Sequence, residues 1–296
     1  MRILVTGSKG QVGSQLIDII NSGSSEIGEI PQAVRNAEVI GKSSRELDIT
    51  DAVKVSTFIK ELKPDVVINS AAYTNVDGCE TDESRAFMVN ALGPRNLAMA
   101  CEEISAKFLH ISTDYVFSGV STRPYREYDL PSPQSVYGKT KNMGENYVRE
   151  FSSRYFIVRP SWVYGYHGKN FVYTVMKTAN EKGTLKVVND QIGTPTNAED
   201  LVHHILKLIV TDDYGIYHCA GKGECSWYEF AGKIVQLAGI PCTITPCTSE
   251  EYPSPTKRPA YSSLDNMMLR CTVGDEMRNW EDALKNFIEN AADFLR

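Results

Sequence analysis

The chain reads as an α/β protein: a doubly wound parallel sheet with a smaller, interleaved C-terminal lobe. Three observations predict this. Short apolar runs alternate with helical-period segments up to Pro160, with brief connections between them. A turn with glycines at 7, 10 and 13 joins the first strand to the first helix. Beyond Pro160 the alternation loosens, and Pro241, Pro246, Pro253, Pro255 and Pro259 crowd one region.

Taken in order, Arg2–Thr6 is an apolar run of strand length, and Gln11–Ile20 puts Val12, Leu16 and Ile19/Ile20 on one helical face. Residues 21–37 are turn-rich and read as a surface loop. Glu38–Gly41 is a second short strand, Asp51–Leu62 a helix, and Asp65–Asn69 a strand around Val66-Val67-Ile68. Glu83–Glu103 has the period of one long helix, interrupted at Gly93-Pro94. Lys107–Ser112 is the next strand, Val136–Phe151 the next helix, and Tyr155–Arg159 a further strand closed by Pro160. Such an alternation implies a parallel sheet covered on both faces, with right-handed crossovers. In the second half, Asn170–Glu181, Ala198–Val210, Ser226–Ala238 and Asp282–Phe294 have helical period. Short strands are expected near Leu185–Val188, Gly215–His218 and Thr243–Thr245. Ala198–Val210 resembles another helix of the sheet layers, so the lobe is expected to interleave with the sheet domain.

Composition narrows the function. With 296 residues the chain suits one large domain and a smaller one. A net charge of −6 argues against nucleic-acid binding, which needs a basic excess, and requires any anionic ligand to be met by local donors. The 7 cysteines are scattered without a C-x-x-C pair, which argues against a disulfide framework or a zinc site. The five histidines show no ligand spacing; His203 and His204 are adjacent, point about 100° apart on a helix, and read as surface or half-buried residues. Met1 leads straight into Ile3-Leu4-Val5, with no signal peptide, and no apolar run approaches a membrane span. The expectation is a soluble, reduced, cytoplasmic protein with no membrane partner.

The glycine turn carries the first functional signal. Gly7, Gly10 and Gly13 follow a strand and open a helix, where a tight turn lets backbone N–H groups approach a pyrophosphate. This is the placement of a Rossmann dinucleotide site. The second strand ends Ile40-Gly41-Lys42-Ser43-Ser44-Arg45, with no carboxylate at once and two cations nearby. Lys42 and Arg45 therefore lean toward a 2′-phosphate, and so toward NADPH, with NADH the alternative. Asp48 either lies near the adenine or caps the next helix. Asn69-Ser70-Ala71-Ala72-Tyr73 supplies small residues at the carboxyl end of the third strand, where open α/β sheets bind ligands.

The second signal is a trio. Tyr137 and Lys141 are four residues apart on a predicted helix and share one face, and Thr113 ends a predicted strand on the glycine-loop edge. A lysine ammonium beside a phenol favours the phenolate, and a hydroxyl can hold the carbonyl oxygen the tyrosine serves. The spacing alone is weak, because Tyr173 and Lys177 repeat it. That second pair follows no strand-end hydroxyl and reads as a core tyrosine with a surface lysine.

These motifs resemble the extended short-chain dehydrogenase/reductases. Ala71–Asp77, Val89–Leu97, Ser112–Phe117, Arg159–Gly165, Gly193–Thr196 and Arg258-Pro259 narrow the resemblance to the dTDP-4-dehydrorhamnose reductase family. It covers nearly the whole chain and is weakest at 21–37 and in the last thirty residues. The resemblance implies that Gly10, Gln11 and Val12 hold the pyrophosphate, that Asp48 and Ile49 lie by the adenine, and that Ala71, Ala72 and Tyr73 lie along the cofactor. It implies Tyr137 as general acid, Lys141 on the nicotinamide ribose, Thr113 and Asp114 on the sugar, and Trp162 packing against it. The implied partner is a dTDP-linked 4-keto-6-deoxyhexose, whose C4 ketone is reduced by NADPH. Asn170, Lys222 and Arg258 are candidate donors to the diphosphate. The dinucleotide domain is then 1–163 and roughly 190–222, and the nucleotide-sugar lobe roughly 164–189 and 223–296. The family implies a homodimer, in some members joined by magnesium through glutamates, one of them in the first helix. Here that stretch reads Ser14-Gln15-Leu16, so no metal is expected. Two alternatives stay open: a reductase or epimerase of another nucleotide-linked 4-ketohexose, and a non-catalytic, cofactor-holding regulatory subunit such as that of methionine adenosyltransferase.

Overall fold

A computed structural model describes residues 1–252 and 254–291; Pro253 and the last three residues of the predicted helix Asp282–Phe294 lie outside the described residues. The first half alternates as expected: β1 (Arg2–Thr6), α1 (Gln11–Ser22), β2 (Glu38–Lys42), α2 (Ala52–Leu62), β3 (Val66–Asn69), α3 (Gly93–Glu103), β4 (Lys107–Ile111), α4 (Val136–Phe151) and β5 (Tyr155–Arg159). The second half adds α5 (Phe171–Lys182), β6 (Thr184–Val188), α6 (Ala198–Leu208), β7 (Gly215–His218), α7 (Trp227–Leu237), β8 (Thr243–Cys247) and α8 (Trp280–Ala291).

Six strands form one parallel sheet in the order β7-β5-β4-β3-β1-β2. Side chains alternate across it. Ile3, Val5, Ile68 and Val158 face α1 and α6, meeting Leu16, Ile19, Leu201 and Ile205. Leu4, Val67, Phe108 and Ile157 face α2 and α3, meeting Val55, Ile59 and Leu97. Each such side chain, fully buried, contributes roughly 1.5–3 kcal/mol of transfer free energy. The chain leaves β1 to one side for β2 and crosses to the other side for β3. The crevice outside the carboxyl ends of β1 and β3 is therefore the switch point where such sheets take ligands.

A second core gathers Val172, Phe230, Trp280 and Phe287 from α5, α7 and α8 around Tyr164, beside the two-stranded parallel pair β6 and β8. This is the smaller lobe, and α6 and β7 do return to the sheet layers. So do Leu269 and Met277, which pack in the sheet core. Apolar side chains of the segment after Asn266 thus have their partners on β7 and α6.

Three readings need correction. Residues 21–37 are not a plain loop: Ser24–Ser25 and Gly28–Glu29 pair as a small hairpin and Gln32–Arg35 makes one helical turn, with Ile30 and Val34 buried. The predicted helix Glu83–Glu103 is resolved into Glu83–Phe87, a π-helical turn Met88–Leu92, and α3 starting at Gly93-Pro94. The wide turn lets the chain run on through Pro94, whose ring obstructs a regular i−4 bond. His203 and His204 are buried, not surface residues. His204 Nδ1 faces the Asp200 carbonyl at 2.8 Å and Nε2 accepts from the Glu276 N–H at 3.0 Å, while His203 Nδ1 meets the Ser25 hydroxyl at 2.8 Å.

The glycines of the first turn differ in their work. Gly7 has φ +70°, and a Cβ there would lie 2.6 Å from the Ala71 nitrogen. A Cβ on Gly13 would stand 2.3 Å from the Gly7 carbonyl oxygen, whereas one on Gly10 would meet that oxygen at 3.2 Å. Gly13→Ala is therefore expected to cost about 1–3 kcal/mol in urea unfolding. Gly10→Ala is expected to keep near-native stability and weaken dinucleotide affinity.

Candidate active site

The switch-point crevice holds a cavity of about 310 Å³ lined by Gly7, Lys9, Gly10, Asp48, Ala71 and Val89, among others. Gly10 is the N-cap of α1 with no side-chain cap, and the first turn of α1 carries no carboxylate. The free N–H groups and positive end of the helix dipole face that crevice, a cradle for a phosphate anion. The residues present thus fit a dinucleotide. Asp48 and Ile49 line the same cavity, as do Ala71 and Ala72. The Asp48 carboxylate accepts from the Thr50 N–H and hydroxyl, so it also organises the turn before α2. Asp51, not Asp48, caps α2.

Other expected cofactor residues sit less directly. The Gln11 amide donates to the Val163 carbonyl at 3.2 Å, and Val12 packs against the sheet core. Tyr73 is fixed through its backbone by Asn90, its N–H donating at 2.8 Å. Lys42 lies over the Phe58 ring at 5.5 Å and 4.0 Å from Glu46, and Arg45 is exposed. Ser70, in the strand-end segment expected at the ligand edge, lines the cavity too, and Lys9, Ser43, Ser44, Leu47 and Val89 also line it and were missed. Lys9 was legible, since it lies inside the glycine turn; Val89 reaches the cavity only through the fold.

The trio comes together at the carboxyl edge of β4. Ser112 N–H donates to the Val158 carbonyl at 2.7 Å and Asp114 N–H to the Pro160 carbonyl at 3.0 Å, which pins the strand end. Thr113 Oγ1 donates to Asp114 Oδ1 at 2.9 Å and accepts from the Tyr115 N–H at 3.2 Å. Ser135 caps α4 and so sets Tyr137 in its first turn. Tyr137 is buried, and its hydroxyl lies near enough to the Thr113 side chain for that hydroxyl to favour the phenolate. Burial raises the phenol well above its usual range, and the Thr113 hydroxyl works against that. Tyr115 packs edge-on against Tyr137 at 5.6 Å.

Lys141 departs from expectation. Its ammonium does not lie on the phenol: Nζ donates to the Ile111 carbonyl at 2.5 Å and faces His110 Nε2 at 3.4 Å. It is fully buried, and burial lowers it to about 8, with Glu145 acting in the opposite direction. Tyr173 and Lys177 behave as read from sequence: Tyr173 packs on Phe287 in the lobe, and Lys177 is exposed beside Glu181.

Asp114 is buried, and its Oδ2 has no hydrogen-bond partner. Burial raises it from 3.8 to about 6, opposed by the nearby Ser262 and Thr113 hydroxyls. A raised carboxyl stabilises the fold below its unfolded value, and that contribution is lost as pH rises toward the folded value. Asp114→Asn is therefore expected to gain about 2–3 kcal/mol of unfolding free energy above pH 6. Urea titrations should show the gain shrinking to nothing at about pH 4.

Trp162, at φ +45°, is held by a stack on Trp227 with centroids 3.6 Å apart. Trp227 and Phe171 line a second cavity of about 440 Å³ together with Asp77, Tyr252 and Arg258. Trp227 was missed, because nothing in its local sequence distinguishes it from a core residue. The Arg258 guanidinium makes only long contacts, 3.3 Å to the Tyr115 hydroxyl and 3.3 Å to Asp77, and also lines a pocket with Tyr115 and Phe117. Asn170 has a structural task. It caps α5, accepting from the Tyr173 N–H at 3.1 Å and donating to the Gly165 carbonyl at 2.8 Å. Lys222 donates to the Asp275 carbonyl at 3.1 Å, in a different cavity.

The first-helix position implied for magnesium does not fit a metal. The Gln15 amide donates to the Glu199 carboxylate, so this position supplies no carboxylate and occupies the nearby one with an N–H. Among the described residues no group of three His, Cys, Asp or Glu side chains is arranged to hold a metal ion.

A parallel switch-point crevice beside a Thr-Tyr-Lys constellation defines a short-chain dehydrogenase/reductase, an NAD(P)H-dependent oxidoreductase class. Comparison with known proteins then narrows it. The profile of the RmlD substrate binding domain matches residues 1–292. The chain is 38% identical to the dTDP-4-dehydrorhamnose reductase of Aggregatibacter actinomycetemcomitans, over 96% of this chain and 97% of that protein. It is 40% identical to the spore coat polysaccharide biosynthesis protein SpsK of Bacillus subtilis, over 97% of each. The crystal structure of a dTDP-4-dehydrorhamnose reductase from Clostridium acetobutylicum superposes with a TM-score of 0.92 at 46% identity, covering 98% of this chain and 99% of that one. A Bacillus anthracis dTDP-4-dehydrorhamnose reductase in complex with NADP gives 0.91 at 39%, covering 97% and 98%. The chain belongs to the dTDP-4-dehydrorhamnose reductase family. No helix among the described residues is long and apolar enough to cross a membrane.

Proposed function

We propose that this protein reduces the C4 ketone of dTDP-4-dehydro-L-rhamnose to the alcohol of dTDP-L-rhamnose with NADPH. The observation that carries the reading is the Thr113–Tyr137 hydroxyl pair, buried on the same sheet edge as the α1 phosphate cradle. The NADP complex of the Bacillus anthracis relative supports the choice of cofactor. Glycine-loop N–H groups, with Asp48, Ile49, Ala71 and Ala72 along the cavity, would hold the dinucleotide, and its reduced nicotinamide would supply the hydride.

The chain's own residues supply the rest. Tyr137 gives its hydroxyl proton to the developing alkoxide, so the C=O gains one hydride and one proton. Thr113 would hold the same oxygen by turning its hydroxyl from Asp114 Oδ1 to the substrate, and such a donor is worth about 3–4 kcal/mol in the transition state. A phenol above its usual range is a poor acid, so the step needs a nearby cation to lower it. Lys141, one helical turn on but engaged by the Ile111 carbonyl, is the cation of the trio that would have to do so. Asp114 Oδ2, an acceptor without a donor, and Trp162 on Trp227 would position the sugar. Arg258, only loosely held, would meet the diphosphate. Two copies of the chain would form a homodimer.

A second substrate has one specific support: a Streptomyces niveus relative, 34% identical, is a dTDP-4-keto-6-deoxy-D-glucose reductase. Initial rates of NADPH loss with each ketosugar nucleotide decide between them. The rhamnose reading requires the larger kcat/KM for dTDP-4-dehydro-L-rhamnose and is overturned by the reverse order. Equal rates with NADH and NADPH would remove the cofactor preference.

A further inference from the structure

A chain of buried polar groups runs beneath the site, and its middle members, Asn69 and His110, take part in none of the steps above. It begins at Ala71, on the wall of the dinucleotide cavity, and ends at Lys141. The Ala71 N–H donates to Asn69 Oδ1 at 3.2 Å, and the Thr6 hydroxyl meets the same oxygen at 2.7 Å. A backbone N–H can only donate, so this side of the Asn69 amide must be its oxygen. The Asn69 NH₂ is thereby aimed at His110 Nδ1, 3.0 Å away. Nδ1 must then be the acceptor, and a neutral imidazole with Nδ1 free carries its proton on Nε2. That N–H points at Lys141 Nζ, 3.4 Å away. Asn69 and His110 are fully buried, so neither can turn to water for another partner.

We propose that His110, its tautomer locked by Asn69 from the cofactor wall, is a positioning residue that sets the charge of Lys141. The neutral amine fits this environment: it donates to the Ile111 carbonyl and accepts from His110 Nε2–H. An ammonium would put N–H against N–H with no water to relax it. Lys141 is then a group that takes up and releases a proton within the working range, not a fixed cation.

The other charges around Lys141 leave this assignment standing. Glu145, one turn on along α4, favours the ammonium, but it is engaged by Arg159 at 2.6 and 2.9 Å and by Ser112 at 2.5 Å. Arg159 on β5 repels a second cation and is itself 3.4 Å from His218. Asp114, beyond β4, acts on Tyr137. Glu80, from the helix packed on the start of α4, accepts from the Val136 N–H at 2.9 Å. Burial lowers both His110 and Lys141, in accord with a neutral pair.

The proposal deepens the reductase reading and rests on it for its kinetic consequence, but its first test needs no substrate. Two-dimensional NMR of the ¹⁵N-histidine-labelled wild-type protein reports each imidazole nitrogen separately. His110 is expected to show a bare Nδ1 and a protonated Nε2 from about pH 5 to pH 9, never titrating through its usual value. A protonated Nδ1, or an imidazolium at neutral pH, overturns the proposal whether or not the protein reduces any sugar. The second test is the pH profile of kcat/KM, which reports groups of the free enzyme. Wild-type activity should fall through a limb near pH 8 as Lys141 loses its proton. His110→Gln offers a carbonyl in place of the Nε2–H and should move that limb up by about one unit or more. A limb that stays in place in a folded His110→Gln variant contradicts the proposal. If that variant does not fold, the NMR result on the wild type decides alone.

Discussion

Tyr137→Phe is expected to lower kcat by about 10²–10⁴-fold, the range for losing a positioned general acid. The substitution removes one oxygen from a ring held by packing against Tyr115, so the fold should be unaffected. KM should move little, because the hydroxyl serves the transition state more than the bound ketone. Thr113→Val should cause a smaller loss, since Tyr137 would keep its proton but lose its partner. Steady-state NADPH oxidation checks both. A Tyr137→Phe variant within threefold of wild type would mean that the proton comes from elsewhere, with Asp114 the nearest candidate.

The largest expected effect on stability lies one turn beyond Lys141. Glu145 and Arg159 form a bidentate pair with side chains 2% and 1% exposed. Two charges so deeply buried are stable only together, because each alone faces the full cost of leaving water. Glu145→Leu should therefore destabilise the protein by about 3–5 kcal/mol in urea unfolding. Arg159→Met added to it should recover much of that loss, since the pair is then replaced by apolar groups of similar size. The single variant should also impair catalysis in whatever fraction folds, as Ser112, which leads into Thr113, loses its acceptor.

Much of the architecture was legible because it rests on local rules. The strand and helix periods located every strand of the parallel sheet, and α4 and β5 at their observed bounds. Placement of the glycine turn after β1 and of Thr113 after β4 follows from order alone, which is why the site's location could be read. What could not be read depends on partners distant in the chain. Nothing near Lys141 indicates that a carbonyl thirty residues earlier and a buried histidine are the partners of its Nζ. His203 and His204 have the look of polar helix residues until Ser25 and Glu276 are found packed over them. Asn170 was the opposite case. A cap residue directly before a helical run is a local signal, and it was passed over for the argument that an acidic chain needs donors for a diphosphate. Trp227 became visible only through its stack on Trp162, 65 residues earlier in the chain.

The central claim is hydride transfer to C4 of a nucleotide-linked ketosugar with Tyr137 as the acid. It is tested most directly by incubating the protein with dTDP-4-dehydro-L-rhamnose and NADPH carrying deuterium at both nicotinamide C4 positions. NMR of the product should show one deuterium at sugar C4, with one NADPH consumed per sugar reduced, and the signal should vanish with Tyr137→Phe. Deuterium at another carbon, product with protium at C4, or full turnover by the phenylalanine variant would contradict the account.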